Sequence, residues 1–462
     1  MNTIENSRHI ELAGFGGTLV HHEHPDYDNY RRVYNGMIDR RPAAIARCRR
    51  AQDVMCAVNF ARDHAIAISV YGGGHSVTGS AVCDGGLVID LREMKGLTID
   101  PIARAGRFQA GLTWGEFDAA TAAHGLALTG GRNPTTGIAG LALGSGSGWL
   151  ERKFGYVCDN LLEAEVITAE GLKVIASASE NADLFWGLRG GGGNFGIVTE
   201  FKFRLHPLPN PILGGAWLYP PTMAAEIVKA FRDFIETAPD ELGGGVIFAT
   251  APDAPQVPEP VRGHPIVLLQ LVYAGEPDLG QAVLAPLRAT IPPVGDLVRP
   301  ASYPELQRTG PNFPGVQNYW TADFLDDLPD AAIDAYAPLA LSPIAPESAI
   351  ILVKGGGAPS RVDDDATAFG MRTAPWNIHY ICGWRDRADN ARNIERVKQI
   401  ASVLKPWASG GVYLNYIGDE GKERVASAFG DEKMRRLRQL KSRWDPQNLF
   451  CHNHNILPLQ SS

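Results

Sequence analysis

The sequence predicts an α+β protein built from more than one domain, on three observations. The chain has 462 residues, well past the roughly 250–300 residues over which one hydrophobic core keeps growing. Its 51 glycines are gathered into loops after strand-like runs and show no period, so neither a collagen-like nor a low-complexity chain fits. After His206-Pro207-Leu208-Pro209 the character changes. Residues 211 to about 405 carry fewer glycine loops, many prolines and both helical and strand patterns, and glycine returns from Gly410.

The elements follow from their spacing. Ala44 to Cys48 is a short apolar run, and Ala51 to His64 repeats apolar side chains at Val54, Ala57, Val58 and Ala61. With the β-rich run Ile66 to Val70, residues 43–70 read as strand, helix, strand. Gly86 to Leu91 predicts another strand. Thr113 to Ala123 predicts a helix, with Thr113 as N-cap and Glu116 three residues on completing a capping box. Glu163–Ala169 and Leu172–Ala176 predict a hairpin turning at Glu170-Gly171. The run 189–205 is a glycine loop leading into an alternating strand. In the second region Met223–Thr237 reads as a helix, and Ile266–Tyr273, Ile350–Val353 and Ile378–Trp384 read as strands. Pro252, Pro255, Pro258 and Pro260 mark one irregular loop. A charged helix is expected over 431–443. Tyr413-Leu414-Asn415-Tyr416 reads as strand-like, which would put Tyr413 and Asn415 on one face.

Composition excludes several classes. Apolar residues make up 45% and charged residues 20%, as in soluble globular proteins. A net charge of −8 argues against nucleic acid as a partner, because that binding needs a basic footprint. No run of about 18 apolar residues occurs, so no membrane span is expected, and the N-terminal stretch lacks the apolar run of a leader. The six cysteines form no CxxC pair and no zinc spacing, and are too few for a disulfide framework, so a reducing, cytoplasmic setting is expected. No metal site is expected: His21, His22 and His24 form a polar segment, and His452 and His454 lack partners at ligand spacing.

Three glycine loops and one terminal cluster carry the chemistry. Gly72-Gly73-Gly74-His75-Ser76 follows a β-rich run, and glycines there let backbone N–H groups approach an anion such as a diphosphate; a plain surface turn is the other reading. Gly144-Ser145-Gly146-Ser147-Gly148 suggests a dinucleotide fingerprint but misses its third glycine by one position and lies far from the first strand. Tyr413 beside Asn415 suits a proton acceptor with an orienting amide, or an aromatic packing residue with a bonded asparagine.

Four segments carry a resemblance: YGGGHSVTGSAVCDGGLVIDL, TTGIAGLALGSGSGWLERKFGYVCDNL, DLFWGLRGGGGNFGIVTEFKFRLHPL and the terminal WDPQNLF with HNI. Together they resemble the FAD-linked oxidases of the vanillyl-alcohol oxidase/p-cresol methylhydroxylase superfamily, berberine-bridge-enzyme-like branch, over about residues 30–457. The resemblance implies a PCMH-type FAD-binding domain of two α/β subdomains over 1–210 and a substrate domain over 211–409, an antiparallel sheet backed by helices. A C-terminal segment, 410–462, would return to the FAD domain. It implies that Gly72, Gly73, Gly74 and Ser76 cradle the pyrophosphate and that His75 holds the flavin covalently. Thr136, Gly137, Gly140, Gly144 and Ser145 would line the cofactor, Asp159 and Asn160 would buttress that loop, and Gly196, Ile197, Val198, Asn415 and Asn455 would also reach it.

Two departures shape the expectation. Asn133 stands where many relatives carry a second, cysteinyl flavin anchor, so attachment through His75 alone is expected. The strand Ala349-Ile350-Ile351-Leu352-Val353 lacks the carboxylate base of some relatives, so Tyr413 becomes the expected base. Trp320, His379 and Tyr380 are the expected substrate wall. The implied activity is hydride transfer from a small alcohol, amine or aromatic metabolite to the flavin, with dioxygen returning it to the oxidised form as hydrogen peroxide forms. Oxygenation or rearrangement of the substrate, and ligand binding without turnover, are the competing readings.

Overall fold

The structure is a computed structural model, which describes residues 10–255, 257, 259–308 and 312–459. The first nine residues, part of the stretch read for a leader, and Pro258 of the irregular loop lie outside them. Four strands open the chain: β1 (Thr18–Val20), β2 (Ala44–Arg47), β3 (Ile68–Tyr71) and β4 (Leu87–Asp90), in the order β1-β2-β4-β3. β2, β4 and β3 run parallel, and helix α1 (Ala51–Asp63) makes the crossover from β2 to β3. Their side chains are nearly all buried, as a parallel sheet covered on both faces requires. Gly72-Gly73-Gly74 leave β3 at its carboxyl end, where parallel α/β sheets bind ligands.

A second, wholly antiparallel sheet follows. It has β5 (Leu97–Asp100), β6 (Ala105–Gln109), β7 (Leu161–Ile167), β8 (Lys173–Ser177) and β9 (Ile197–Arg204), ordered β5-β6-β9-β7-β8. The hairpin of β7 and β8 turns at Gly171, whose φ of 73° suits glycine. Helix α2 (Trp114–Ala122) starts as its capping box directs: the Thr113 side chain accepts from the Glu116 N–H, and the Glu116 carboxylate accepts from the Thr113 N–H at 2.7 Å. The short helix α3 (Ile138–Leu143) lies between the two glycine-rich stretches.

The middle of the chain forms one large antiparallel sheet. Its main strands are β10 (Ile212–Tyr219), β11 (Leu242–Thr250), β12 (Pro265–Tyr273), β13 (Gln317–Leu325), β14 (Ala349–Lys354) and β15 (Trp376–Trp384), in the order β10-β12-β11-β14-β15-β13. Helices α4 (Ala224–Thr237), α5 (Pro277–Thr290), α6 (Asp330–Tyr336) and α7 (Asn390–Ser402) cover one face. Period-two alternation sends Ile378, Tyr380 and Cys382 of β15 into the core beneath those helices, and Asn377, His379 and Ile381 to the other face.

The last segment returns to the first two sheets. Val412, Leu414, Phe429, Leu437, Phe450 and Ile456 belong to the same apolar core as β2, β4 and β9. The expected strand at 413–416 is instead a single 3-10 turn, Leu414–Tyr416, closed by the Tyr416 N–H on the Tyr413 carbonyl at 2.9 Å. The reason is a long-range contact: the Asn415 amide donates at 3.2 Å to the carbonyls of Leu141 and Gly144, satisfying acceptors left open at the end of α3. The turn also brings Tyr413 and Tyr416, three residues apart, to one side. Helix α8 (Gly430–Trp444) runs a residue beyond the expected span at each end. At its end Lys441 and Asp445, both fully buried, pair at 2.6 Å. Lys441 Nζ donates to the carbonyls of Asn194 and Phe450, and Asp445 accepts from the N–H groups of Leu449 and Phe450. The buried Lys441–Asp445 pair thus pins the WDPQNLF turn and fastens it to the 190–196 glycine loop.

Candidate active site

Between the glycine loops and the open face of the large sheet lies a cavity of about 990 Å³. One wall is backbone. Gly73 and Gly137 touch: a Cβ on Gly73 would lie 2.2 Å from the Gly137 nitrogen. A Cβ on Gly140 or Gly193 would meet nothing within 4 Å, so these two glycines leave the wall open for a ligand lying against it. The N–H groups of Gly73, Gly74, His75 and Ser76 have no acceptor among the described residues, the donor set a pyrophosphate needs. A shaped backbone cradle with free donors fits FAD.

His75 lines this wall. Its Nε2 sits 2.8 Å from Thr135 Oγ1, its Nδ1 3.5 Å from Thr136 Oγ1, and Tyr34 stacks on the ring at 4.5 Å. Burial pushes its pKa down to about 4, so the imidazole is neutral and keeps a nitrogen lone pair. Gly72, Ser76, Thr136, Gly137, Gly144, Gly196, Ile197, Val198 and Asn415 also line the cavity. Ser145 and Asn455 do not: Ser145 Oγ donates to Tyr413 at 3.2 Å, and Asn455 Oδ1 is buried without a partner. Asp159 pairs with Arg372 at 2.6 Å and Asn160 donates to the Phe154 and Tyr156 carbonyls, so both hold the loop from outside.

The opposite wall is side chain. His379, on β15, and Trp320, on β13, face the cavity edge to face at 5.4 Å, and Ile351 pairs with His379 across the sheet. Tyr380, expected beside them, points to the other face; adjacent residues of a strand cannot share one wall. The His379 ring stacks on Tyr416 at 3.9 Å, within 3° of parallel, and burial together with the nearby Arg132 charge keeps it neutral.

The two tyrosines differ. Tyr413 is 2% exposed and is not in the cavity wall. Its oxygen accepts from the N–H groups of Gly146 and Ser147, both at 2.9 Å, and from Ser145, while burial pushes its pKa up. Tyr416 does line the cavity. Arg132 Nη1 donates to its oxygen, and that oxygen lies 3.4 Å from Ser147 Oγ, which donates to Glu151 Oε2 at 2.5 Å. Arg132 sits over the Trp149 ring at 4.4 Å. Sequence reasoning missed the roles of Arg132, Ser147 and Glu151: the Gly144–Gly148 run drew attention to glycines rather than to Ser147, and only the contact of Arg132 and Ser147 with Tyr416, 284 positions away in the case of Arg132, reveals the chain of bonds that ends on Glu151. Asn133 lines the cavity with its Oδ1 accepting from Thr135, whereas Cys158 is buried among Tyr156, Phe324, Phe369 and Tyr413 with its thiol pKa pushed up by burial and Asp159.

Comparison with known proteins agrees with the cradle. An FAD binding domain matches residues 42–177, and a "berberine and berberine like" family matches residues 412–457. The chain is 29% identical to (R)-6-hydroxynicotine oxidase of Paenarthrobacter nicotinovorans over 96% of this chain and 97% of that protein. The crystal structure of 6-hydroxy-D-nicotine oxidase from Arthrobacter nicotinovorans superposes with a TM-score of 0.85 at 28% identity, covering 96% of this chain and 99% of the other. Physcomitrella patens BBE-like 1 gives 0.87 at 25% identity, covering 98% and 99%. Among the described residues no helix is long and apolar enough to cross a membrane. With its glycine cradle, its sheet-roofed cavity and these relatives, the chain is an FAD-dependent oxidoreductase similar to the berberine-bridge-like, PCMH-type oxidases.

Proposed function

We propose that this enzyme oxidises a small alcohol or amine, and that Tyr416, in place of the expected Tyr413, takes the proton from the reacting group. The observation that carries this is the placement of Tyr416 in the cavity wall between Arg132, Ser147 and His379, while Tyr413 is walled off and already accepts two backbone N–H groups. When bound, FAD supplies a two-electron acceptor that takes the hydride from the substrate carbon and passes the electrons to dioxygen as hydrogen peroxide. The residues supply the rest. Trp320, Ile351 and His379 hold the substrate body against the flavin side. The hydroxyl or amine proton moves to the Tyr416 oxygen, whose own proton leaves through Ser147 Oγ to the Glu151 carboxylate. Arg132, donating to the Tyr416 oxygen, stabilises negative charge that develops there.

The same reading assigns His75 as the covalent anchor, alone, because Asn133 has no thiol and Cys158 is buried away from the cavity. Residues 1–210, 211–409 and 410–462 are its cofactor, substrate and returning segments. The six cysteines are all free, which supports a reducing compartment. The test is direct. Acid-precipitated protein keeps its yellow colour, His75→Ala releases all of it, and peptide mass mapping finds the adduct on the His75 peptide only. Peroxide is released on turnover of an alcohol or amine panel. Flavin lost from the wild type on precipitation refutes the anchor, and a panel that never bleaches the flavin refutes the oxidase chemistry.

A further inference from the structure

One group of the redox step carries a donor that the step does not use: the Arg132 guanidinium, whose Nη1 serves Tyr416 while Nη2 stays free. Arg132 is 17% exposed, and the cavity is where it opens. Nη1 is spoken for by Ser147 and Tyr416, but Nη2 makes no hydrogen bond; its nearest carboxylate oxygen, on Glu151, is 3.9 Å away and is already taken by Ser147 Oγ and the Gly148 N–H. The other charged groups in the wall do not offset it. Glu347 is bonded to Arg385 at 2.5 Å, and Asp253 is exposed at the rim. His379, 5% exposed, is neutral, with its Nε2 unpartnered. An ammonium group would find only the solvent-exposed Asp253 unpaired among the wall's carboxylates, whereas an anionic oxygen would find a charge-assisted donor on Arg132. Trp320, Ile351 and Ile381 line the same cavity and give it an aromatic and apolar wall for a ring.

Resting on the oxidase reading above, we propose that the substrate is an aromatic alcohol carrying a carboxylate, that Arg132 binds the carboxylate, and that cationic amines are excluded. Specificity would then differ from that of an amine oxidase by charge at a single residue. The reaction takes the alcohol carbon to a carbonyl: one hydride leaves for the flavin and one proton leaves for Tyr416, and the carboxylate is unchanged.

The experiment reads binding without turnover, so it can fail independently of the oxidase reading. Oxidised holoenzyme is titrated with benzoate, benzyl alcohol and benzylamine at neutral pH, following the perturbation of the flavin absorption band. Benzoate is expected to bind at least about tenfold more tightly than benzylamine, the scale of one charge-assisted hydrogen bond. Arg132→Lys should keep that order and Arg132→Met should abolish it. Benzylamine binding as tightly as benzoate, no response to millimolar benzoate, or a benzoate preference that survives in Arg132→Met each overturns the proposal. Should Arg132→Met fail to load flavin, the wild-type pair and Arg132→Lys decide it.

Discussion

One wall of the cavity is backbone and the other is side chain, and the two walls tolerate change differently. Where the glycine loops meet, shape is set by main chains in contact, so a methyl on Gly73 or Gly137 has nowhere to go. At the sheet, shape is set by Asn377, His379 and Ile381 standing on a regular ladder, so side chains can change while the ladder holds. The cofactor wall is therefore the rigid partner, and the substrate wall is where specificity can be rewritten. The largest expected effect tests that contrast. Gly73→Ala places its Cβ 2.2 Å from the Gly137 nitrogen, backbone against backbone. We expect almost complete loss of bound flavin, read from the ratio of flavin to protein absorbance. Ile351→Val on the facing wall should cost about 0.5–1.5 kcal/mol and keep its flavin. Full flavin loading in Gly73→Ala would break the comparison.

The next effect separates two tyrosines on one turn. Tyr416→Phe should slow flavin reduction by roughly 10²–10⁴-fold, the usual weight of a positioned proton acceptor, with little change in substrate affinity. Glu151→Gln should slow it less, as the far end of the relay. Tyr413→Phe should act on stability, since it strips the acceptor from two buried N–H groups at a cost of about 1–3 kcal/mol each. Stopped-flow reduction and thermal melts of the same three proteins tell these apart. A Tyr413→Phe enzyme that reduces its flavin as slowly as Tyr416→Phe would return the role to Tyr413.

The same contrast explains what was legible in the sequence. The capping box at Thr113, the β2–α1–β3 crossover and the three glycine loops were readable because local spacing and glycine's backbone freedom specify them. Period two was readable too, and it sets Tyr380 on the face opposite His379. The turn at 414–416 was not readable, because a side chain fixes it: Asn415 caps helix α3, some 270 positions earlier in the chain. The strand-like pattern of Tyr413 to Tyr416 carries no trace of that partner. The Arg132, Ser147 and Glu151 cluster was hidden for the same reason. Each residue is unremarkable in its own stretch and gains meaning only where the terminal segment folds back.

The last expected effect concerns stability alone and lies behind the backbone wall. Asp118, on helix α2, is 2% exposed, and the Gln307 side chain is the one group that offsets the burial of its carboxyl. Burial pushes the Asp118 pKa up to about 8, so the folded protein holds this proton where an unfolded chain, with an aspartate near the usual 3.9, has released it. Between about pH 4 and pH 8 the native state therefore binds more protons, and stability falls as pH rises, by at most about 1.4 kcal/mol per unit from this group. Below pH 4 both states are protonated and above pH 8 both are ionised, so the contribution flattens at each end. Asp118→Asn removes the titrating proton while keeping the shape. Its melting temperature should exceed that of the wild type by a margin that widens from pH 5 to pH 8. Melting curves that stay parallel across that range would place the ionisation elsewhere, and would leave Asp118 charged and solvated in a way its burial does not allow.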